Sequence, residues 1–139
     1  MIEIICGEKG KGKTKELLGR VNNSIATVAG NVVYLDKSTQ HMFELNNKVR
    51  LICVPDYGVD NADQFLGFVS GILSQDHDLQ QMYFDSFLDI AHLRDADITP
   101  ALKKLDTLSQ QFKIDFVLSV SMDEADLPES AKSLIAISL

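Results

Sequence analysis

The stretch Ile2-Glu3-Ile4-Ile5-Cys6-Gly7-Glu8-Lys9-Gly10-Lys11-Gly12-Lys13-Thr14 decides the fold. An apolar run of strand length enters a loop of the pattern G-x-x-x-x-G-K-T. The segment that leaves it, Lys15-Glu16-Leu17-Leu18-Gly19-Arg20-Val21, sets Leu17, Leu18 and Val21 on one helical face. In such a loop the glycines let successive backbone N–H groups converge on a phosphate, and the dipole of the following helix adds to the attraction. Two glycines at fixed spacing ahead of a lysine and a hydroxyl residue arise rarely by chance. A strand before them and a helix after them make a plain surface turn the poorer explanation.

Each residue of the loop has a separate task. Lys13 is the expected contact to the β- and γ-phosphates, and the Thr14 hydroxyl is the expected Mg²⁺ ligand. Gly7, Glu8, Lys9, Gly10, Lys11, Gly12, Lys13, Thr14 and Lys15 together form the candidate nucleotide-binding segment. The implied ligands are a nucleoside triphosphate and Mg²⁺. No guanine-reading Asn-Lys-x-Asp motif occurs, so ATP is the expected base choice. Lys9, Lys11, Lys13 and Lys15 make a basic island in a chain whose formal net charge is −7.

That overall charge disfavours nucleic acid and anionic membrane surfaces as partners. The chain has 139 residues, 45% hydrophobic and 24% charged, which suits one domain over 1–139 with no linker. Cys6 and Cys53 lack C-x-x-C spacing and read as buried reduced thiols. No apolar run reaches 18 residues and no secretory leader is legible, so the expected setting is cytoplasmic, without membrane insertion.

Further strands are expected over Asn31–Asp36, Lys48–Val54 with Pro55 closing it, Gln80–Phe84 with extension to Leu88, Phe116–Val120 and Leu134–Leu139. A short helix is expected within Ser38–Leu45. A longer one follows the Asp60-Asn61-Ala62-Asp63 cap, burying Phe65, Leu66, Phe68, Val69, Ile72 and Leu73. Another starts at Thr99-Pro100, with Leu102, Leu105 and Leu108 inward. Strands alternating with amphipathic helices predict an α/β domain, a mainly parallel sheet of about five strands with helices on both faces.

In an open parallel sheet, ligands sit beyond the carboxyl ends of the strands. Those ends carry Asp36, Asp56, Asp85, and then Ser119, Ser121 and Asp123. Asp85, after the apolar Met82-Tyr83-Phe84, is the better candidate for the second metal-site carboxylate (the Walker B position) and for a catalytic role beside Lys13. Asp123-Glu124 is its rival, since Asp123-Glu124-Ala125-Asp126 also follows an apolar strand. Ser119 and Ser121 are candidate sensors of the γ-phosphate. Ser86 stands where many ATP-hydrolysing proteins of this type place a glutamate, which argues for slow turnover. Asp76-His77-Asp78 reads as a solvated loop.

With the phosphate loop at its start, Asp85 ending an inner strand and a polar strand exit at Ser119 and Ser121, the chain resembles a minimal P-loop NTPase of the RecA-like (ASCE) type. It is also similar to short bacterial proteins labelled twitching-motility PilT-like ATPases, notably through Tyr34-Leu35-Asp36-Lys37-Ser38 and Ser74-Gln75-Asp76-His77-Asp78. The resemblance implies nucleotide and Mg²⁺ contacts at Gly7, Gly10, Gly12, Lys13, Thr14 and Asp85. It does not extend to a pilus motor, whose additional domain, acidic and histidine boxes and arginines have no match. A weaker similarity to thymidine kinases runs through Gly12–Leu18, without that family's zinc-binding cysteines.

Three activities fit these residues. One is a slow Mg²⁺-dependent ATPase, completed by a protein partner or by a homo-oligomer. Another is a nucleotide-binding switch or adaptor without turnover. A small-molecule kinase ranks below both, because only residues 37–47 and 86–98 are long enough to shape an acceptor pocket.

Overall fold

A computed structural model describes all residues, 1–139. Six strands, β1 (Ile2–Cys6), β2 (Asn31–Asp36), β3 (Arg50–Cys53), β4 (Leu79–Phe84), β5 (Asp115–Val120) and β6 (Ile135–Ser138), form one sheet in the order β3-β2-β4-β5-β1-β6. Every neighbouring pair is parallel. The helices are α1 (Lys13–Ser24), α2 (Ala62–Gln75), α3 (Phe87–Ile90), α4 (Thr99–Phe112) and α5 (Glu129–Lys132).

The strand alternation divides the core in two. On one face Val32, Tyr34, Tyr83, Val117 and Ile5 pack against Leu17, Leu18 and Val21 of α1. On the other Ile4, Leu35, Met82, Phe84, Phe116 and Leu118 pack against α2 and α4. Phe84 meets Phe116, Phe65 and Phe87 edge-on, with ring centres 5.3, 6.0 and 6.2 Å away. Phe84 is the last residue of β4, so these rings pack at its carboxyl end.

Several expectations need correction. The sheet has six strands rather than about five, and the expected C-terminal strand is shorter than Leu134–Leu139: only Ile135–Ser138 forms it, as an edge strand beside β1. β4 does not run on to Leu88: Ser86 adopts a left-handed conformation (φ 54°), and Phe87 and Leu88 turn into the core on α3. Between Ser38 and Leu45 only a 3₁₀ turn forms, at Met42–Glu44, with no buried face to extend it. β3 is confined to Arg50–Cys53, since Pro55 lies in a 3₁₀ turn, Val54–Tyr57, not at a strand end. Phe68, Ile72 and Leu108 are only partly buried and flank the inner stripes of their helices. Cys6 is buried, whereas Cys53 is half-exposed; both thiols are free.

Asn61 caps α2 as its sequence suggests, accepting the Gln64 amide at 2.8 Å. No helix is long and apolar enough to cross a membrane. Because all six strands point the same way, every strand exit lies along one edge of the sheet. That edge carries the polar residues.

Candidate functional site

The loop between β1 and α1 is tied to its neighbours at the start. The Gly7 amide donates to the Met122 carbonyl at 2.9 Å. Gly10 (φ 88°) and Gly12 (φ 94°) are left-handed, the conformation that glycine adopts at least cost and that turns the loop onto the N-terminus of α1. The first amides of α1 have no partner within the helix and face the loop. Lys13 is 8% exposed, and its Nζ donates to the Glu8 carbonyl at 3.0 Å, closing the loop over its own side chain. Burial lowers its pKa, and the carboxylate of Asp85 works against that shift.

Asp85, one residue beyond β4 and 2% exposed, is the hub of the cleft. Its Oδ1 accepts from Thr14 Oγ1 at 3.1 Å and from Ser119 Oγ at 2.9 Å, and its Oδ2 accepts from the Tyr34 hydroxyl at 2.7 Å. The Asp85 amide donates to the Leu35 carbonyl at 2.8 Å, which locks the carboxylate to β2. Ser119 is itself fixed by the Ser86 amide, 2.8 Å from its Oγ. Three hydroxyls from three chain segments, 71, 34 and 51 residues away in sequence, thus satisfy one buried carboxylate. Burial, followed by the charge of Asp85, pushes the Tyr34 phenol far above its ordinary range.

The rival carboxylate lies elsewhere. Asp123 is exposed, and its Oδ2 accepts from the Ala125 amide, capping the 3₁₀ turn Glu124–Asp126. Only Asp85 meets Thr14.

A cleft of about 350 Å³ opens above these groups, lined by Lys9, Gly10, Gly12, Lys13, Thr14 and Asp85 and by Ser119 and Ser121. No hydrophobic side chain lines it. Of the remaining loop candidates, Glu8 contributes its carbonyl to Lys13, while Lys11 is exposed and does not line the cleft. Lys15 borders a neighbouring shallow depression with Thr14, Leu18, His41 and Glu44.

Sequence reasoning missed Tyr34, and it placed Asp36 only as one of several acidic strand ends facing the ligand. Asp36 is 2% exposed and lines the cleft; its Oδ1 accepts from the Lys37 amide at 2.7 Å, but Oδ2 has no partner. Burial and then the charge of Asp85 raise its pKa to about 6. A carboxyl raised in the folded state binds its proton more tightly folded than unfolded. Stability is therefore greatest below the unfolded value near 4 and declines as pH rises through about 6. Asp36→Asn is expected to melt higher relative to the parent at pH 7 than at pH 4.5. Equal differences at the two pH values in thermal melts would show that Asp36 carries no such strain.

The cleft also gathers Lys37, Asp89 and Arg94, which the sequence did not tie to the loop. Neither a protein-family model nor any curated protein matches the chain.

Proposed function

We propose that the chain is a Mg²⁺-dependent ATP-binding protein of the P-loop NTPase type, and a slow ATPase. One observation carries this reading: the hydroxyl of a G-x-x-x-x-G-K-T loop and a buried carboxylate 71 residues away are hydrogen-bonded across a wholly polar cleft.

The donor set suits Mg²⁺. That ion prefers oxygen, and it is typically held by one or two carboxylates with the remaining positions filled by phosphates and water. Thr14 and Asp85 offer such oxygens, and no cluster of three or more His, Cys, Asp or Glu side chains competes for a metal elsewhere. Bound Mg²⁺ would neutralise phosphate charge and align the β- and γ-phosphates. The chain itself supplies the backbone cradle, the Lys13 ammonium and the rigid Asp85–Ser119–Tyr34 cluster that sets the carboxylate. Positioning and charge stabilisation are most of what phosphoryl transfer asks of a protein.

Slow turnover follows from the position after Asp85. Ser86 carries no carboxylate, and its amide is engaged with Ser119 instead of orienting a water.

The expected result is a thermal shift of several degrees with ATP and Mg²⁺, smaller without Mg²⁺. At about 100 times its dissociation constant a ligand adds roughly 2.7 kcal/mol. Absence of any shift with ATP, ADP or GTP would remove the basis for the reading.

A further inference from the structure

The cleft continues past the loop into a second compartment of about 240 Å³, bounded on its far side by Leu88, Leu93, Ala96 and Met122. Ser86, Asp89, Arg94 and Ser121 line both compartments and so mark their junction. Arg94 is the only arginine there. Arg20 is paired with Glu3 at 3.0 Å, and Arg50 begins β3, at the opposite edge of the sheet from the loop.

The Arg94 side chain is 65% exposed, yet it is not free to wander. Its Nε donates to Asp89 Oδ1, and Asp89 Oδ2 is held in turn by Lys37 Nζ at 3.4 Å. The pairing with Arg94 is the main reason that the Asp89 carboxyl sits below its ordinary pKa. A guanidinium has five N–H donors, so the four on Nη1 and Nη2 remain without a protein partner. A fork anchored through Nε and open at both Nη atoms suits a phosphate.

The backbone that carries Arg94 is shaped at a cost. Ser86 (φ 54°), His92 (φ 55°) and Asp95 (φ 58°) are all left-handed without being glycine. Such conformations persist where the surroundings enforce them, and they cluster at ligand clamps. The His92 ring nitrogen contacts the Val59 carbonyl at 2.9 Å, and the Leu93 amide donates to Leu88 at 2.9 Å, which together hold the turn that presents Arg94.

We propose that Arg94 is the chain's own cation for the γ-phosphate, so that the site is completed within one chain and needs no arginine from a second copy. This inference rests on the loop binding a nucleoside triphosphate. Arg94 donates through Nη to the terminal phosphate while Asp89, a positioning residue, keeps hold of Nε. In hydrolysis a water oxygen bonds to the γ-phosphorus, and the bond to the β–γ bridging oxygen breaks with its electron pair passing to the diphosphate. The proton of the attacking water ends on phosphate or in solvent. Arg94 exchanges no proton and spreads the charge of the equatorial oxygens, as arginines supplied in cis or in trans do elsewhere.

The test compares wild type, Arg94→Ala and Arg94→Lys by calorimetric binding of ATP, ADP and ADP with aluminium fluoride, all with Mg²⁺, and by hydrolysis over a range of protein concentrations. Arg94→Ala should leave ADP affinity unchanged, weaken ATP about 10-fold or more, abolish the gain from aluminium fluoride and slow hydrolysis roughly 10³-fold. Arg94→Lys should restore part of the preference for ATP over ADP. Wild-type specific activity should not depend on protein concentration. An unchanged ATP/ADP preference in Arg94→Ala, or activity rising steeply with concentration, overturns the inference and leaves the nucleotide site standing. A wild type that binds no nucleotide overturns both.

Discussion

Lys13→Ala is expected to cut the ATP-dependent thermal shift by about half or more while leaving the melting temperature of the ligand-free protein nearly unchanged. The two halves of that result have separate causes. In the absence of ligand Lys13 makes one bond, to the Glu8 carbonyl at 3.0 Å, and burial disfavours its charge. Removing it relieves a desolvated ammonium as it loses that bond, and the two changes offset. With a triphosphate present, the same ammonium would supply a charge-assisted bond of about 1.5–3 kcal/mol. Its loss corresponds to roughly 10- to 150-fold in affinity, which at about 100 times the wild-type dissociation constant cuts the shift to between about half and a tenth. A Lys13→Ala protein that still responds fully to ATP would place the ligand somewhere other than this loop.

Asp85→Asn should slow turnover sharply. Loss of a pre-organised charge from a buried site costs on the order of 10²–10³-fold in rate, and the dependence on Mg²⁺ should be lost with it. The fold should survive, because an amide keeps one oxygen for Thr14 and Ser119 and can donate to the Tyr34 hydroxyl oxygen. Asp85→Ala is different. It strands three hydroxyls around a cavity, at about 1–3 kcal/mol for each that stays unsatisfied, so its melting temperature should fall well below that of Asp85→Asn. Hydrolysis and melting curves on the two variants check this directly. Mg²⁺-dependent hydrolysis that persists in Asp85→Asn would sink the assignment of the metal site.

Much of the fold was legible because local and long-range signals agreed. The loop glycines fixed the junction of β1 and α1, the Asn61 cap fixed the start of α2, and the apolar runs of β2, β4 and β5 were long enough to be inner strands. Errors fell where the sequence pattern was short or was overridden. Phe87 and Leu88 look like a continuation of a strand, and only the left-handed turn at Ser86 sends them into a helix. The pairing of Thr14 with Asp85 was accessible from strand ends alone. Tyr34 was not recognised, although one pattern points to it. Val32-Tyr34-Asp36, Tyr83-Asp85 and Val117-Ser119 each alternate onto the α1 face, and each changes from packing to polar chemistry toward the loop. Arg94 lay beyond such reasoning, since its approach to the cleft depends on three left-handed residues that no propensity foretells.

The four-way contact among Thr14, Ser119, Tyr34 and Asp85 also bears on what holds the loop to the sheet. Three internal hydroxyls satisfy the Asp85 carboxylate without any outside donor, which leaves Asp36 Oδ2 as the one buried side-chain acceptor of the cleft without a partner. The carboxylate thus serves as a clasp that joins the loop and the ends of β2 and β5 to β4 from within the chain itself. The Thr14 hydroxyl gives only its proton to Asp85, so under the proposed reading its oxygen would stay free to meet a cation with the clasp intact.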